Sequence, residues 1–274
     1  MQRYSVISNF PNLSKWLQTI RISWSTQTAY RFNFFLQVIG PSLVFFFIKY
    51  NLWSSIYNGT QDLIIQGYSF SQMINYHAWS LVVSLIAGGY ASHNLAEDIR
   101  MGRISTYLIY PFNFWEFHTA SFISFQFLQT FISGITILSI FLLGIFESIT
   151  LVTLFNGYIF CFLVSLMWFT LQYMTGILSF WLEETWILRV LLQIMSAFLS
   201  GAILPLELYP AWAVKILNYT PFPYLSYYPI KIFQGKLPLL TTAPLIIIGW
   251  TILFALINKL IWKRGMKLYT AAGM

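Results

Sequence analysis

Formal charge is what this chain has least of: 8 acidic and 15 basic side chains make up 8% of its 274 residues. A soluble surface needs about three times that share, so a water-exposed globular domain is excluded. There is a single cysteine, Cys161, and it sits in an apolar stretch. It excludes an intrachain disulfide and paired-cysteine metal spacing, and reads as a buried, inert thiol. No G-x-x-x-x-G-K-[ST] phosphate loop occurs, so the chain does not bind and hydrolyse ATP by that route. H-E-x-x-H and G-x-S-x-G are absent too. The histidines are His77, His93 and His118, and only Glu116 lies near one of them in sequence. Residues two apart on a helix do not face each other, which favours interfacial or pore-facing roles over a catalytic pair.

What is present is apolar length: 58% hydrophobic residues, 20% aromatic, and a mean hydropathy of +0.67. Charge-free runs cover 32–48, 63–96, 119–146, 148–182, 190–206 and 237–258. Each is near or above the roughly 17 to 25 residues of a membrane-crossing helix. These runs are continuous rather than alternating, so they predict an all-α polytopic membrane protein with six spans and not a barrel. With the N-terminus inside, Arg3, Lys15, Arg21, Arg31, Arg100, Arg103, Arg189, Lys259, Lys263, Arg264 and Lys267 collect on the cytoplasmic side. Only Lys49, Lys215, Lys231 and Lys236 remain outside. The net +7 therefore reports positive-inside topology, with both termini cytoplasmic, rather than a nucleic-acid partner. No cleavable signal peptide is expected, since the first apolar run begins only at Phe32.

The organisation follows as one transmembrane domain: a cytoplasmic or interfacial segment 1–31, a bundle 32–262 and a tail 263–274. In the first segment Leu13, Trp16, Leu17, Ile20 and Trp24 recur at helical spacing, with Asn12 available as a cap. This predicts an amphipathic helix, lying either in the inner membrane interface or on the protein's own cytoplasmic loops. Gly40-Pro41 should kink the first span. Ala87, Gly88, Gly89, Ala91 and Ser92 form a small-residue cluster in a second span over 73–95. Spans three and four, 115–146 and 148–181, form a tight hairpin at Glu147, and span five covers 187–203. Residues 200–238 hold six of the ten prolines. That stretch is too apolar for a free loop and too broken for one helix, so short re-entrant helices are expected. A sixth span covers 241–261. No internal repeat is evident, and none of the runs carries an ionisable residue other than histidine, which leaves ion coupling unsupported. Asn58-Gly59-Thr60 and Asn218-Tyr219-Thr220 are outward-facing sequons of the kind that arise often by chance.

The exception to the apolar pattern is AEDIRMGRISTYLIYPFNFWEF, where Glu97, Asp98, Arg100 and Arg103 fall between two apolar runs. From Glu97 to Tyr110 it can form a helix, with the acidic pair at the favourable N-terminal end and Pro111 as the stop. Ile104, Tyr107 and Leu108 would share one face, leaving Asp98, Arg100 and Arg103 to water or a partner. Two readings stay open: a docking element for a soluble protein, and an ordinary solvated inner loop.

Three stretches, TAYRFNFFLQVIGPSLVFFF, DIRMGRISTYLIYPFN and SGAILPLELYPAWAVKILNYTPFPYLSYYPIKIFQGK, resemble the permease subunits of ABC-2 type ABC transporters, the six-span branch with a separately encoded ATPase. The resemblance implies an ABC-2, or type V exporter-like, fold: an interfacial helix, six spans, a coupling helix between spans two and three, and re-entrant helices between spans five and six. It places Glu97, Asp98, Arg100, Gly102 and Arg103 on the coupling element, and Glu183 and Glu184 on a secondary inner contact. It puts spans one and five at the interface between permeases. It also implies no cofactor in this chain, with ATP and Mg on two partner ATPase subunits, and a second permease copy or a related permease. The location is the bacterial inner membrane, and the cargo an amphipathic substrate, exported by alternating access. An ion-coupled secondary transporter is the main alternative, and its transport would survive ATP depletion and collapse with the ion gradient. A membrane-embedded lipid-modifying enzyme is the third, and it would turn over without nucleotide in dependence on its histidines.

Overall fold

A computed structural model describes residues 11–29, 31–57, 63–88, 93–109, 114–146 and 149–269. They are overwhelmingly helical, and among them the only β pairing is an isolated bridge between Ile65 and Tyr68. In chain order the helices are α1 (Pro11–Ala29), α2 (Arg31–Ile56), α3 (Phe70–Ala87), α4 (His93–Arg100), α5 (Ile104–Ile109) and α6 (Phe114–Leu142). They continue with α7 (Leu151–Ile177), α8 (Trp186–Leu199), α9 (Ala211–Leu217), α10 (Tyr227–Phe233) and α11 (Ala243–Gly265).

Among the described residues three helices are long and apolar enough to cross a membrane: α6, α7 with its 3-10 continuation to Phe180, and α11. Shorter apolar helical stretches lie at Leu43–Ile56 in α2 and at Trp186–Leu199. The expected second span is interrupted, because α3 ends at Ala87 and α4 starts at His93. Gly88 caps α3 by donating its N–H to the Ser84 carbonyl at 3.2 Å, and Gln172 of α7 reaches its carbonyl at 3.5 Å. Gly89, Ala91 and Ser92 lie outside the described residues, as do Glu147, Pro111 and the Asn58 sequon. Pro41 sits inside α2, whose helical assignment runs through it.

The first helix begins at Pro11, so Asn12 lies within it rather than capping it. Lys15, Thr19 and Ser23, spaced by four, form a polar stripe. Lys15 pairs with Glu116 at 3.2 Å, Ser23 hydrogen-bonds Ser121 at 3.0 Å, and Thr19 is buried. The polar stripe therefore packs on α6, and Leu17, Ile22 and Trp24 face outward. An apolar face turned away from the protein is the arrangement a lipid surface stabilises.

At the centre stands α7, in contact with α3, α4, α10 and α11. Small residues set how closely its neighbours approach. A Cβ on Gly157 would collide with the Phe233 ring of α10, and one on Gly176 would collide with Leu95 of α4. Polar side chains face inward and donate to neighbouring backbone there: Asn258 of α11 donates to the Thr170 carbonyl at 2.8 Å, and Gln126 of α6 donates to the Ile86 carbonyl at 3.0 Å. Trp79 of α3 stacks between Phe146 and Phe233, with centroids at 4.1 and 4.7 Å. Cys161 is buried, as expected.

Proline breaks residues 200–238 into a 3-10 turn at Leu206–Leu208, α9, a second 3-10 turn at Pro223–Leu225, and α10. Backbone carbonyls freed in this way must find other donors when shielded from water. Tyr76 donates to Gly201 O at 2.7 Å, Lys49 to Ala202 O at 2.7 Å, and Tyr224 to Asn218 O at 2.9 Å. Inside the segment, Lys231 is buried against Glu207 at 2.7 Å and Tyr68 Oη at 2.6 Å, with the rings of Tyr68, Tyr76 and Tyr227 around its ammonium. Tyr227 also donates to Glu207 Oε1 at 2.8 Å. The pair is asymmetric, with the Lys231 side chain 8% exposed and that of Glu207 34% exposed. Glu207→Leu strands a buried ammonium and should cost about 3 kcal/mol. Lys231→Met leaves a carboxylate that water can reach and should cost about 1 kcal/mol. Thermal unfolding in detergent micelles checks the order: the glutamate variant melts lower than the lysine variant.

Candidate functional site

The charged stretch between the second and third apolar runs folds as two short helices and a turn, not as the single helix expected from Glu97 to Tyr110. Its hinge is Gly102, whose φ of +69° lies in the left-handed region that glycine tolerates. The Gly102 N–H reaches the Ile99 carbonyl at 3.2 Å, and the Arg103 N–H reaches the Asp98 carbonyl at 2.8 Å. Together these bonds make a Schellman cap that closes α4. As a result the acidic pair lies near the C-terminal end of α4, where the helix dipole disfavours it.

Arg103 compensates. Its Nη2 meets Glu97 Oε1 at 3.1 Å, and its Nη1 meets Asp98 Oδ1 at 3.2 Å. Tyr107 donates to Asp98 Oδ2 at 3.2 Å, and Tyr269 donates to the Gly102 carbonyl at 2.6 Å. Asp98, expected to be open to water, is thus buried, its side chain 10% exposed against 52% for Arg103. Arg100 remains exposed and reaches across to the 181–185 turn, donating to the Glu183 carbonyl at 2.9 Å and lying 3.8 Å from Glu184 Oε1. All seven residues singled out in the sequence, Glu97, Asp98, Arg100, Gly102, Arg103, Glu183 and Glu184, therefore share one patch. Tyr107 and Tyr269 complete it as bond donors, and nothing in the sequence pattern marks Tyr269.

Exposed ion pairs of this kind contribute little stability, about 0 to 1 kcal/mol each. Apolar burial holds the element in place: Leu95, Ile99 and Ile104 are nearly inaccessible and join Phe114, Phe122, Phe169, Tyr173 and Ile177 in a cluster separate from the larger core. The patch is thus a rigid charged knuckle wedged through Leu95 against Gly176 of α7. Of the residues in the expected shared face, Ile104 is buried and Tyr107 half-buried; the Leu108 side chain lies outside the described residues.

His77 and His118 stand in separate surroundings, and the His93 side chain lies outside the described residues. His77 Nε2 accepts from Trp53 Nε1 at 2.7 Å, while His118 lies among the rings of Tyr107, Phe114, Phe117 and Tyr173. Glu116 turns to Lys15 instead. No group of three or more metal-ligating side chains occurs among the described residues. The described residues also enclose hollows. One of about 780 Å³ lies between α2, α3, α7 and α8, and one of about 610 Å³ lies beside α5 between Trp115, Tyr173 and Trp262.

Gly102→Ala should cost about 1 kcal/mol, because a Cβ strains the left-handed backbone. Gly176→Val overpacks the contact with Leu95 and should cost about 1 to 3 kcal/mol. The expected signature is accelerated amide hydrogen exchange in α4, with α9 and α10 unchanged.

Residues 31–273 match the family model described as ABC-2 family transporter protein. No curated protein matches the chain.

Proposed function

The chain belongs to the ABC-2 family of transporter proteins, and from that membership we propose that it is the permease subunit of an ATP-binding cassette transporter, driven by ATPase subunits on separate chains. The observation that carries this reading is the charged knuckle: exposed cations and carboxylates on a rigid turn, backed by buried apolar contacts that lead into α7. A soluble partner that grips Arg100, Glu97 and Glu184 would transmit force through Leu95 rather than bend a loop.

In the proposed topology six spans are formed by α2, α3, α6, α7, α8 and α11, and α9 and α10 dip into the outer leaflet as re-entrant helices. The termini and the α4–α5 knuckle face the cytoplasm of a bacterial cell, across its inner membrane. The 14 residues of α8 span about 21 Å, short of the roughly 30 Å hydrocarbon core. Carbonyls beyond its end are satisfied by Lys49 and Tyr76, so non-helical backbone there is shielded, as a re-entrant turn requires. Two permeases, identical or related, would meet through α2 and α8. Among the described residues α8 buries none of its side chains, and α2 exposes Leu43, Val44, Phe45, Phe47 and Ile48. Such contiguous apolar surface is expected where a second copy or lipid covers it.

The mechanism we assign is alternating access. Closure of two ATPases on ATP and Mg pushes the knuckles, and the two permeases rock to expel an amphipathic substrate. ATP hydrolysis resides in the partner, and this chain supplies the moving path.

A tagged chain should recover an ATPase subunit in near-equal amount on purification. Arg100→Glu should weaken that recovery at least about tenfold while leaving the melting temperature of the isolated permease within a degree or two, because the residue is exposed. Arg103→Glu, by contrast, breaks the turn and lowers both. If no ATPase is recovered and the Arg100 variant transports normally, the assignment fails.

A further inference from the structure

The hollow between α2, α3, α7 and α8 contains two cations, Lys49 and Arg189, and no carboxylate among its lining residues. Lys49 donates to the Ala202 carbonyl, just past the C-terminal end of α8. Arg189 stands in the first turn of the same helix, which starts at Trp186. Lys49 is therefore held near one end of α8 and Arg189 stands near the other, with about 15 Å of helix between Arg189 and Leu199. Neither is ion-paired to a carboxylate among the described residues, and Arg189 Nε is buried without a hydrogen-bond partner. Much of the wall is apolar, with Phe45, Leu81, Trp168 and Val190, and it also carries serine hydroxyls, the Gln172 and Gln193 amides and the His77 imidazole.

Ionised groups in an apolar environment are costly unless something neutralises them. A cleft with two positive charges, no negative one and greasy walls is complementary to a molecule with an acidic headgroup and an apolar tail, and it disfavours a cationic one. We propose that the cargo of this cleft is an anionic amphiphile, whose headgroup is held first by Arg189 and then by Lys49 while its tail lies on the apolar walls. The passage from one cation to the other rests on the transporter reading, and the binding itself does not.

The test uses the full chain in neutral maltoside micelles and three probes with the same dodecyl tail: dodecyl phosphate, dodecylphosphocholine and dodecyltrimethylammonium. Binding is followed by intrinsic tryptophan fluorescence, since Trp168 and Trp186 line the cleft. Dodecyl phosphate should bind at least about tenfold more tightly than the zwitterion, and the cation should not saturate. Arg189→Gln and Lys49→Gln should each reduce this preference, and the double variant should abolish it. Arg189→Lys and Lys49→Arg should keep it, separating charge from folding. Inorganic phosphate alone should not displace the probe. A parallel titration with phosphatidylglycerol separates a two-chain bilayer lipid from a single-chain cargo, the tighter ligand identifying the source. Equal affinity for all three heads, preference for the cation, displacement by free phosphate, or a preference that survives in the double variant would each overturn the proposal. No ATPase takes part in the assay, so its failure is distinguishable from failure to recover a partner.

Discussion

Close approach along α7 is the constraint on which the remaining contacts depend. Gly157 receives the Phe233 ring of α10, and Gly176 receives Leu95 of α4. These seats lie 19 residues apart, about 28 Å along the helix axis. One helix therefore touches both the proline-broken segment at one end of the molecule and the charged knuckle at the other. Between the seats, α11 lies along the same helix, fastened by the Asn258 bond to the Thr170 carbonyl. In an apolar solvent, helices are not driven together by water, so tight packing and inward hydrogen bonds carry that task.

This division of labour runs through the whole chain. Apolar and aromatic packing positions the elements, as where Trp79 lies between Phe146 and Phe233, or where Phe122 stacks on Phe169 at 4.6 Å. Charge is used sparingly and at the ends: Arg103 gathers two carboxylates at the knuckle, and Lys231 sits in a tyrosine-lined box against Glu207. The first lies at the surface, with only Asp98 of its members buried. The second is enclosed and serves the fold. Lys49 and Arg189 belong to neither group, because each faces the same cleft without a carboxylate.

Much of this was legible in the residues. The scarcity of charge pointed to a membrane helix protein, and the charges between the second and third apolar runs marked the α4–α5 turn as a distinct element. Proline density marked 200–238 as broken helices. What escaped the pattern is equally specific. Periodicity extended a helix through Gly102, since the local run of Ile104, Tyr107 and Leu108 is compatible with it. The Schellman bonds at Ile99 and Asp98 show that glycine ended it instead. Asp98 was expected in water because aspartate is polar. It is buried because Tyr107 and Arg103 reach it from the following turn.

Hydropathy and charge act locally and need no partner to be read, so the apolar surroundings, the family and the residue types at the knuckle follow from the order of residues alone. Which groups meet emerges from packing: Arg100 with the turn at Glu183 and Glu184, Tyr269 with Gly102, Lys231 with Glu207 and Tyr68, and Leu95 with Gly176. Those pairs lie far apart in the chain, or depend on how closely two helices can approach. That distance is set by the packing of all the intervening side chains and not by any one stretch.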